Sequence, residues 1–223
     1  MRWPDLILVN GPLSAGKSTL CRALQAAIEE PYLVVGFDDF IFMSAPRYYR
    51  GADSARQTER DRFTALGVAM ITTSPTGAPL SVTARFGPVF RKLVDSMAPA
   101  VRALVDGGNR VIFDHVLHDQ GMYESCRKAL AGLDVFSVGV FCPVEILEER
   151  ERSRGDRVQG RARGLAEVVH GFMPYESQGR HWDQPATGLC RGDPERAQLA
   201  LDRGGGRPPA VMPPSITSSW PVM

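Results

Sequence analysis

The chain has 223 residues, of which 43% are hydrophobic and 23% are charged, and this ordinary globular composition excludes a fully disordered or collagen-like protein. Its 26 basic and 25 acidic side chains nearly balance, so no excess of positive charge is available to hold a nucleic-acid backbone or an anionic membrane. The length predicts one α/β domain with additional segments.

Hydrophobicity and cysteine usage predict a cytoplasmic location. No apolar run approaches the roughly 20 residues that a membrane span needs, and the first apolar run, residues 6–9, is too short for a signal peptide. The four cysteines have no C-x-x-C spacing, which favours reduced thiols.

Taken in chain order, the apolar runs predict a parallel sheet with helices on both faces. Strands are predicted at 6–9, 33–37, 110–114 and 135–142. Helices are predicted from Lys17 to Ile28, between Gly87-Pro88 and Gly107-Gly108, and over 123–130 and 144–152. Residues 44–87 are polar and rich in proline and glycine, so we expect one short helix near 57–70 and loop elsewhere.

The composition changes near residue 178. Residues 178–223 contain seven prolines and six glycines among 46 positions, which is in the range typical of low-complexity or disordered segments. We therefore expect a folded domain over 1–177 and a poorly ordered, protease-sensitive tail over 178–223 that has no clear strand.

Residues 11–18 match the phosphate-binding pattern G-x-x-x-x-G-K-[ST]. Such a loop surrounds phosphate with backbone N–H groups at the start of a helix. Lys17 would reach the β- and γ-phosphates, and the Ser18 hydroxyl would bind Mg²⁺. The predicted nucleotide-binding residues are Gly11, Pro12, Leu13, Ser14, Ala15, Gly16, Lys17, Ser18 and Thr19.

Acidic residues follow two of the predicted strands. Asp38 ends the second strand, which we expect beside the first, and its carboxylate can accept the proton of an attacking hydroxyl; a helix N-cap is the alternative, and we assign that role to Asp39. Asp114 ends the third strand, where it either holds Mg²⁺ or caps the next turn.

Arginines and histidines near the predicted site also allow two interpretations. Arg150, Arg154 and Arg157 either bind phosphate oxygens or form a solvated helix end. His115 and His118 have a spacing that could suggest a metal, but no third ligand follows them. His170 is expected to be structural. Five side chains could form an apolar substrate pocket or part of the core: Met43, Tyr48, Tyr49, Phe86 and Phe90.

Several ordered motifs resemble those of the chloramphenicol phosphotransferases. They are the loop at 10–18, Val35-Gly36-Phe37-Asp38, Gly87-Pro88-Val89-Phe90-Arg91, the strands at 110–114 and 138–142, Arg150 with Arg154-Gly155-Asp156-Arg157-Val158, and Val168-Val169-His170. The similarity covers roughly residues 5–176. Members of this family are P-loop kinases that move the γ-phosphate of ATP to a hydroxyl of chloramphenicol and thereby inactivate the drug.

The resemblance implies a P-loop kinase domain over 1–177, with a substrate-loop region at 44–87 and an arginine-rich lid at 150–164. It implies that Asp38 and Lys17 are catalytic, that Arg154 and Arg157 act from the lid, and that ATP is bound with Mg²⁺ on Ser18 and Asp114.

Three features depart from the family pattern. Residues 44–86 are longer than the family's substrate loop, His115 stands where the family has an acidic residue, and the tail replaces a final strand and helix. We therefore expect the sheet to lack its last strand.

The sequence predicts an ATP-dependent O-phosphotransferase with a small-molecule hydroxyl acceptor and no nucleic-acid or membrane partner. Two alternatives stay open: a kinase of another hydroxyl metabolite, such as a sugar or nucleoside, and an NTP-binding switch or ATPase without an acceptor.

Overall fold

The first strand, β1 (Leu6–Asn10), lies at the centre of the sheet because its side chains are buried on both faces. The other strands of this sheet are β2 (Tyr32–Gly36), β5 (Arg110–His115), β6 (Val135–Phe141) and β7 (Cys190–Arg191). The order is β2-β5-β1-β6-β7, and every neighbouring pair is parallel. The computed structural model describes residues 3–49, 57–154, 158–166, 168–173 and 190–191.

Seven helices occur in these described residues. They are α1 (Lys17–Ala27), α2 (Phe37–Met43), α3 (Gln57–Leu66), α4 (Pro88–Asp106), α5 (Gln120–Ala129), α6 (Val144–Arg154) and α7 (Arg161–Ala166), with a short 3-10 turn at Pro46–Tyr48. In the part of the chain described, no helix is both long enough and apolar enough to cross a membrane. The predicted parallel α/β sheet flanked by helices is confirmed.

The core has two halves because side chains alternate between the faces of the sheet. Leu6, Leu8 and Phe113 pack on one face against α4 and α5. Ile7 and Ile112 pack on the other face against α1 and the segment leading from β6 into α6. Because β1, β2 and β5 are parallel, the loops that follow them lie at the same edge of the sheet, where ligands of parallel sheets bind.

The position expected for β2, beside β1, is wrong because β5 lies between them. The central residues of β5, including Val111 and Ile112, are completely buried, whereas Leu33 of β2 is 42% exposed. A strand that is apolar on both faces is stabilised most in the interior of a sheet. The half-exposed β2 therefore occupies the edge.

The expectation that residues 44–87 form loop outside one short helix is also wrong in part. Helix α3 forms, but an antiparallel hairpin follows it, made of β3 (Val68–Thr72) and β4 (Val82–Phe86). Gly67 and Gly87, at the two ends, are joined by a hydrogen bond from the Gly87 N–H to the Gly67 carbonyl. The hairpin forms a sheet of its own beside the main one.

The expectation of a tail without a strand is wrong for two residues, because β7 pairs with Val140 and Phe141 of β6. A ladder this short needs only backbone hydrogen bonds, so no hydrophobic pattern reveals it. The other residues of the predicted tail lie outside the described residues, and the predicted disorder of 178–223 stays a prediction.

Candidate active site

The loop between β1 and α1 has the backbone conformation that an anion-binding loop requires. Gly16 has φ 96° and Ser14 has φ 63°, both in the left-handed region that costs little only for glycine. A Cβ at Gly11 would lie 2.6 Å from the Val140 carbonyl oxygen of β6. The two fixed glycines of the motif are therefore required for different reasons. Gly16 is required by its backbone conformation, and Gly11 is required because β6 approaches it closely.

Lys17 and Ser18 begin α1 and point into the loop region. The Lys17 ammonium is buried and donates a hydrogen bond to the Pro12 carbonyl at 3.1 Å. The Ser18 hydroxyl donates to Asp114 Oδ2 at 2.6 Å. A cation and a hydroxyl–carboxylate pair thus lie beside the backbone donors of the loop, which is the arrangement that binds phosphate and its counter-ion.

Asp114 has an unfavourable environment for an ionised carboxylate. Burial raises its pKa above the ordinary value, and the negative charges of Asp38 and Asp39 act in the same direction, while Lys17 and the Ser18 hydroxyl oppose the rise. The donor set of a hydroxyl and a carboxylate oxygen fits Mg²⁺, which takes one or two protein oxygens together with substrate phosphates. Among the described residues, no group of three or more His, Cys, Asp or Glu side chains could hold a metal ion.

Asp38 and Asp39 lie in the first turn of α2, which begins directly after β2. The assignment of Asp39 as N-cap is wrong: Gly36 is the N-cap, and Asp39, three residues later, accepts the Gly36 N–H at 2.7 Å. The helix begins three residues earlier than an N-cap at Asp39 would require, so the Asp39 carboxylate accepts the N-cap N–H from within the first turn. Asp38 is exposed, and its carboxylate makes no hydrogen bond to another described residue.

Two cavities flank the phosphate loop. The larger, of about 810 Å³, is lined by the loop together with Phe141, Pro143 and Ile146. The smaller, of about 290 Å³, contains the carboxylates Asp38 and Asp114 with Lys17 and Ser18. Four residues line both cavities: Ser14, Gly16, Thr19 and Arg154. The loop therefore separates a roomy apolar site from a small acidic one.

Two of the three predicted lid arginines lie at this junction. Arg150, on α6, donates to the Ser14 carbonyl at 3.1 Å and lines the larger cavity. Arg154 ends the same helix and lines both cavities. Arg157 lies outside the described residues, so its predicted role stays a prediction. α6 thus presents guanidinium groups where phosphate oxygens would lie.

Of the loop residues predicted from the motif, Pro12, Leu13, Ala15 and Thr19 line one or both cavities as well. None of the five side chains considered for an aromatic-substrate pocket lines the small acidic cavity. Phe90 is buried in the core and Met43 is 72% exposed. Phe37 and Phe42 line the cavity instead, because α2 begins directly at the end of β2.

The histidines lie among aromatic rings. His115 is buried and stacks on Phe113 at 4.5 Å between ring centroids, and burial lowers its pKa to about 3. His118 contacts the edge of Phe86. His170 stacks on Phe141 at 3.9 Å, and burial lowers its pKa to about 4. His170 lines the larger cavity as a neutral ring.

Two buried polar residues were not identified from the sequence. Asn10, at the end of β1, donates to the Val169 carbonyl at 2.9 Å and accepts the Leu117 N–H at 3.0 Å, so it ties the loop after β5 to the segment after α7. Glu151 of α6 is also buried. Neither has a sequence signal, because an asparagine before the first glycine and a glutamate in a charged helix are both common at exposed positions.

The parallel sheet, the loop and the acidic edge define a nucleotide-binding α/β protein of the P-loop class. Within that class, the chain belongs to the family of chloramphenicol phosphotransferase-like proteins, whose model matches residues 4–178. Two Mycobacterium tuberculosis proteins, one from each of two strains, are 32% identical over an alignment of 180 positions that covers 77% of this chain and 72% of theirs. Their names describe them provisionally as O-phosphotransferases.

Solved structures with a similar fold are more distant in sequence. A shikimate kinase from Acinetobacter baumannii is 14% identical with a TM-score of 0.48, covering 90% of this chain and 94% of that chain. A sugar kinase from a Janibacter species is 16% identical with a TM-score of 0.48, covering 88% of this chain and 94% of that chain.

Proposed function

We propose that this protein is an ATP-dependent O-phosphotransferase that moves the γ-phosphate to a hydroxyl of a small molecule, with Mg²⁺ as the metal ion. The observation that carries the proposal is the pair of cavities meeting at the phosphate loop. The larger one has room for a nucleoside against Phe141 and Ile146, and the acidic one would take the acceptor. Donor and acceptor would then meet at Lys17 and Arg154.

The chemistry follows from the groups at this junction. The acceptor oxygen forms a bond to the γ-phosphorus while the bond to the bridging oxygen of ADP breaks, and Asp38 takes the acceptor's hydroxyl proton. Lys17, Arg150 and Arg154 stabilise the charge spread over the transferred group. Ser18 and Asp114 would hold Mg²⁺, which supplies charge neutralisation on the phosphates.

The acceptor is proposed to be chloramphenicol-like because of the family. Phe37 and Phe42 give the acidic cavity aromatic walls, which suits an apolar or aromatic body that carries a hydroxyl. A sugar or nucleoside is the alternative acceptor.

The test is a measurement of ADP release from Mg·ATP with a panel of chloramphenicol, sugars and nucleosides. Product identity is read from the mass of one added phosphoryl group. We expect ADP release to depend on one acceptor class. Equal ADP release without any acceptor would show a switch or an ATPase instead of a phosphotransferase.

Lys17→Met is the variant that tests the phosphate site. It keeps the buried aliphatic stem and removes the charge, so we expect transfer to fall by at least roughly 10²-fold while the fold is retained. Lys92→Met, at an exposed position of α4, is the matched control and should leave the rate unchanged. Near-normal turnover of Lys17→Met would contradict the proposed site.

A further inference from the structure

Glu151 is a buried carboxylate in a highly charged helix whose only other buried residue is Leu147. Its side chain is 1% exposed and lies between α6 and α7. Oε2 accepts the Gly160 N–H at 2.7 Å, and Oε1 accepts the Ala162 N–H at 2.9 Å. A buried carboxylate is tolerated only when such donors satisfy it. Both oxygens are used at the start of α7, so the chain around α7 is held to α6.

The same segment is attached to the hairpin. The Gly160 carbonyl accepts the Val82 N–H, at the start of β4, at 2.9 Å. A Cβ at Gly164 of α7 would lie 2.3 Å from the Val82 carbonyl oxygen, so the helix and strand backbones are in direct contact. Glu151, Gly160 and Val82 therefore form a continuous hydrogen-bonded route from α6 to β4.

Arginines at the first end of this route line the cavities, and a series of ring contacts connects the other end with the acidic cavity. Arg150 is adjacent to Glu151 and contacts the phosphate loop, and Arg154 follows on the same helix. At the other end, β4 leads to Phe86, whose ring contacts His118 at 4.9 Å. His118 contacts Phe37, which precedes Asp38 and lines the acidic cavity.

We propose that Glu151 is a positioning residue that joins the arginine-bearing helix α6 to the hairpin β3–β4, so that nucleotide binding at the phosphate loop orders the hairpin on the acceptor side. This inference rests on the proposed function, since it requires a nucleotide between the loop and α6. No hairpin residue lines the acidic cavity itself, but Phe86 supports Phe37 of the cavity wall through His118. This support would form fully only after Arg150 and Arg154 have engaged phosphate, so acceptor selection would follow nucleotide binding.

Hydrogen exchange read by mass spectrometry on the full chain tests the proposal, with Mg²⁺ and a non-hydrolysable imido analogue of ATP as the probe. In the wild type, the analogue should slow amide exchange in the loop at 11–19 and also in the hairpin at 68–86. In Glu151→Gln, an NH₂ donor replaces one of the two acceptor oxygens, so only one of the two N–H groups keeps its acceptor. Slowing in the hairpin should then be lost, while slowing in the phosphate loop is retained.

Gly164→Ala is the second variant. A Cβ at this position would meet the Val82 carbonyl oxygen, so the change disturbs the contact between α7 and β4 while keeping the Glu151 carboxylate. Alanine otherwise suits a helix better than glycine does. This variant should also lose the hairpin response, and it decides the question if Glu151→Gln fails to fold. Glu148→Gln is the matched control: it removes the ion pair with Arg163 between the same two helices and should keep the response.

A purely structural role of Glu151 would lower the melting temperature of the variant but leave the hairpin response to nucleotide intact, and this outcome would overturn the proposal. So would a wild-type protein whose phosphate loop responds while the hairpin does not, although the proposed function would then survive. If the analogue slows exchange nowhere in the wild type, the proposed function and the inference both fail.

Discussion

Asp38 and Asp39 are adjacent carboxylates with different surroundings, so their amide variants should differ. Both line the acidic cavity. The Asp38 carboxylate has no hydrogen-bond partner among the described residues, whereas the Asp39 carboxylate accepts the Gly36 N–H. Asp38→Asn removes the proton acceptor, and we expect kcat to fall by about 10²–10⁴ with nucleotide affinity nearly unchanged.

Asp39→Asn is the control for this pair, because its amide oxygen can still accept the Gly36 N–H. Its kcat should stay near the wild-type value. Steady-state kinetics on both variants make the comparison, and a large fall for Asp39→Asn with none for Asp38→Asn would assign the proton acceptor to the other residue.

Asp114 should show a conflict between stability and function. Burial raises its pKa, so the folded state destabilises the ionised form. The stability that this group contributes is highest at low pH and falls as pH rises from the unfolded pKa through the folded one. Asp114→Asn removes the buried charge, so we expect a higher melting temperature without ligand at pH 7 and a much smaller increase on adding Mg·ATP.

Thermal unfolding with and without Mg·ATP checks this expectation. Asp106→Asn, at the exposed end of α4, is the control and should keep the wild-type response to Mg·ATP. A ligand-free Asp114→Asn protein that is less stable than the wild type would show that the Ser18–Asp114 hydrogen bond outweighs the burial of charge.

At the scale of elements, the close approach of β6 to the phosphate loop should be sensitive to a single methyl group. Because a Cβ at Gly11 would lie 2.6 Å from a backbone oxygen of β6, Gly11→Ala must displace the loop or the strand. Such overpacking costs about 1–3 kcal/mol. We expect a loss of this size in the free energy of unfolding, together with weaker binding of the ATP analogue.

Urea unfolding and calorimetric titration measure the two effects. Gly107→Ala is the comparison, because an added Cβ there would have its nearest neighbours at 3.4 Å and should change neither quantity by much. An unaltered nucleotide affinity in Gly11→Ala would mean that β6 is displaced and that the loop keeps its conformation.

At the scale of the whole molecule, buried neutral histidines should make the fold sensitive to acid. The pKa of His115 is lowered from about 6.5 to about 3 by burial. Between these values the unfolded chain binds a proton that the folded chain does not, so stability falls as pH drops below about 6.5. The contribution of one such histidine is about 1.4 kcal/mol per pH unit.

Urea unfolding of the wild type and His115→Phe at several pH values between 7.5 and 5 tests this expectation. Phenylalanine keeps a flat ring beside Phe113. The comparison concerns the slope of the free energy of unfolding with pH, so a packing difference that does not change with pH cancels. The variant should lose less stability per pH unit than the wild type. Equal slopes would show that His115 takes up its proton in the folded state.

The phosphate loop is the part of this molecule that a local sequence pattern determines most completely. The glycines, Lys17 and Ser18 have fixed spacing because one turn and one helix start would bring them to the same anion. The apolar runs likewise predicted the four longer strands of the main sheet and most of the helices to within a few residues, since burial on both faces requires uninterrupted apolar residues. These features depend on neighbours in the chain.

Only the tertiary structure decided which elements lie side by side. The insertion of β5 between β1 and β2, the hairpin and the two-residue strand β7 depend on backbone pairing between segments that are distant in sequence or lack a periodic pattern. The partners of Asn10 and Glu151 are set in the same way, because a polar side chain becomes buried only where another segment supplies its donors. The sequence alone therefore determined the loop of the proposed phosphate site, and the packing of remote segments determined what faces it.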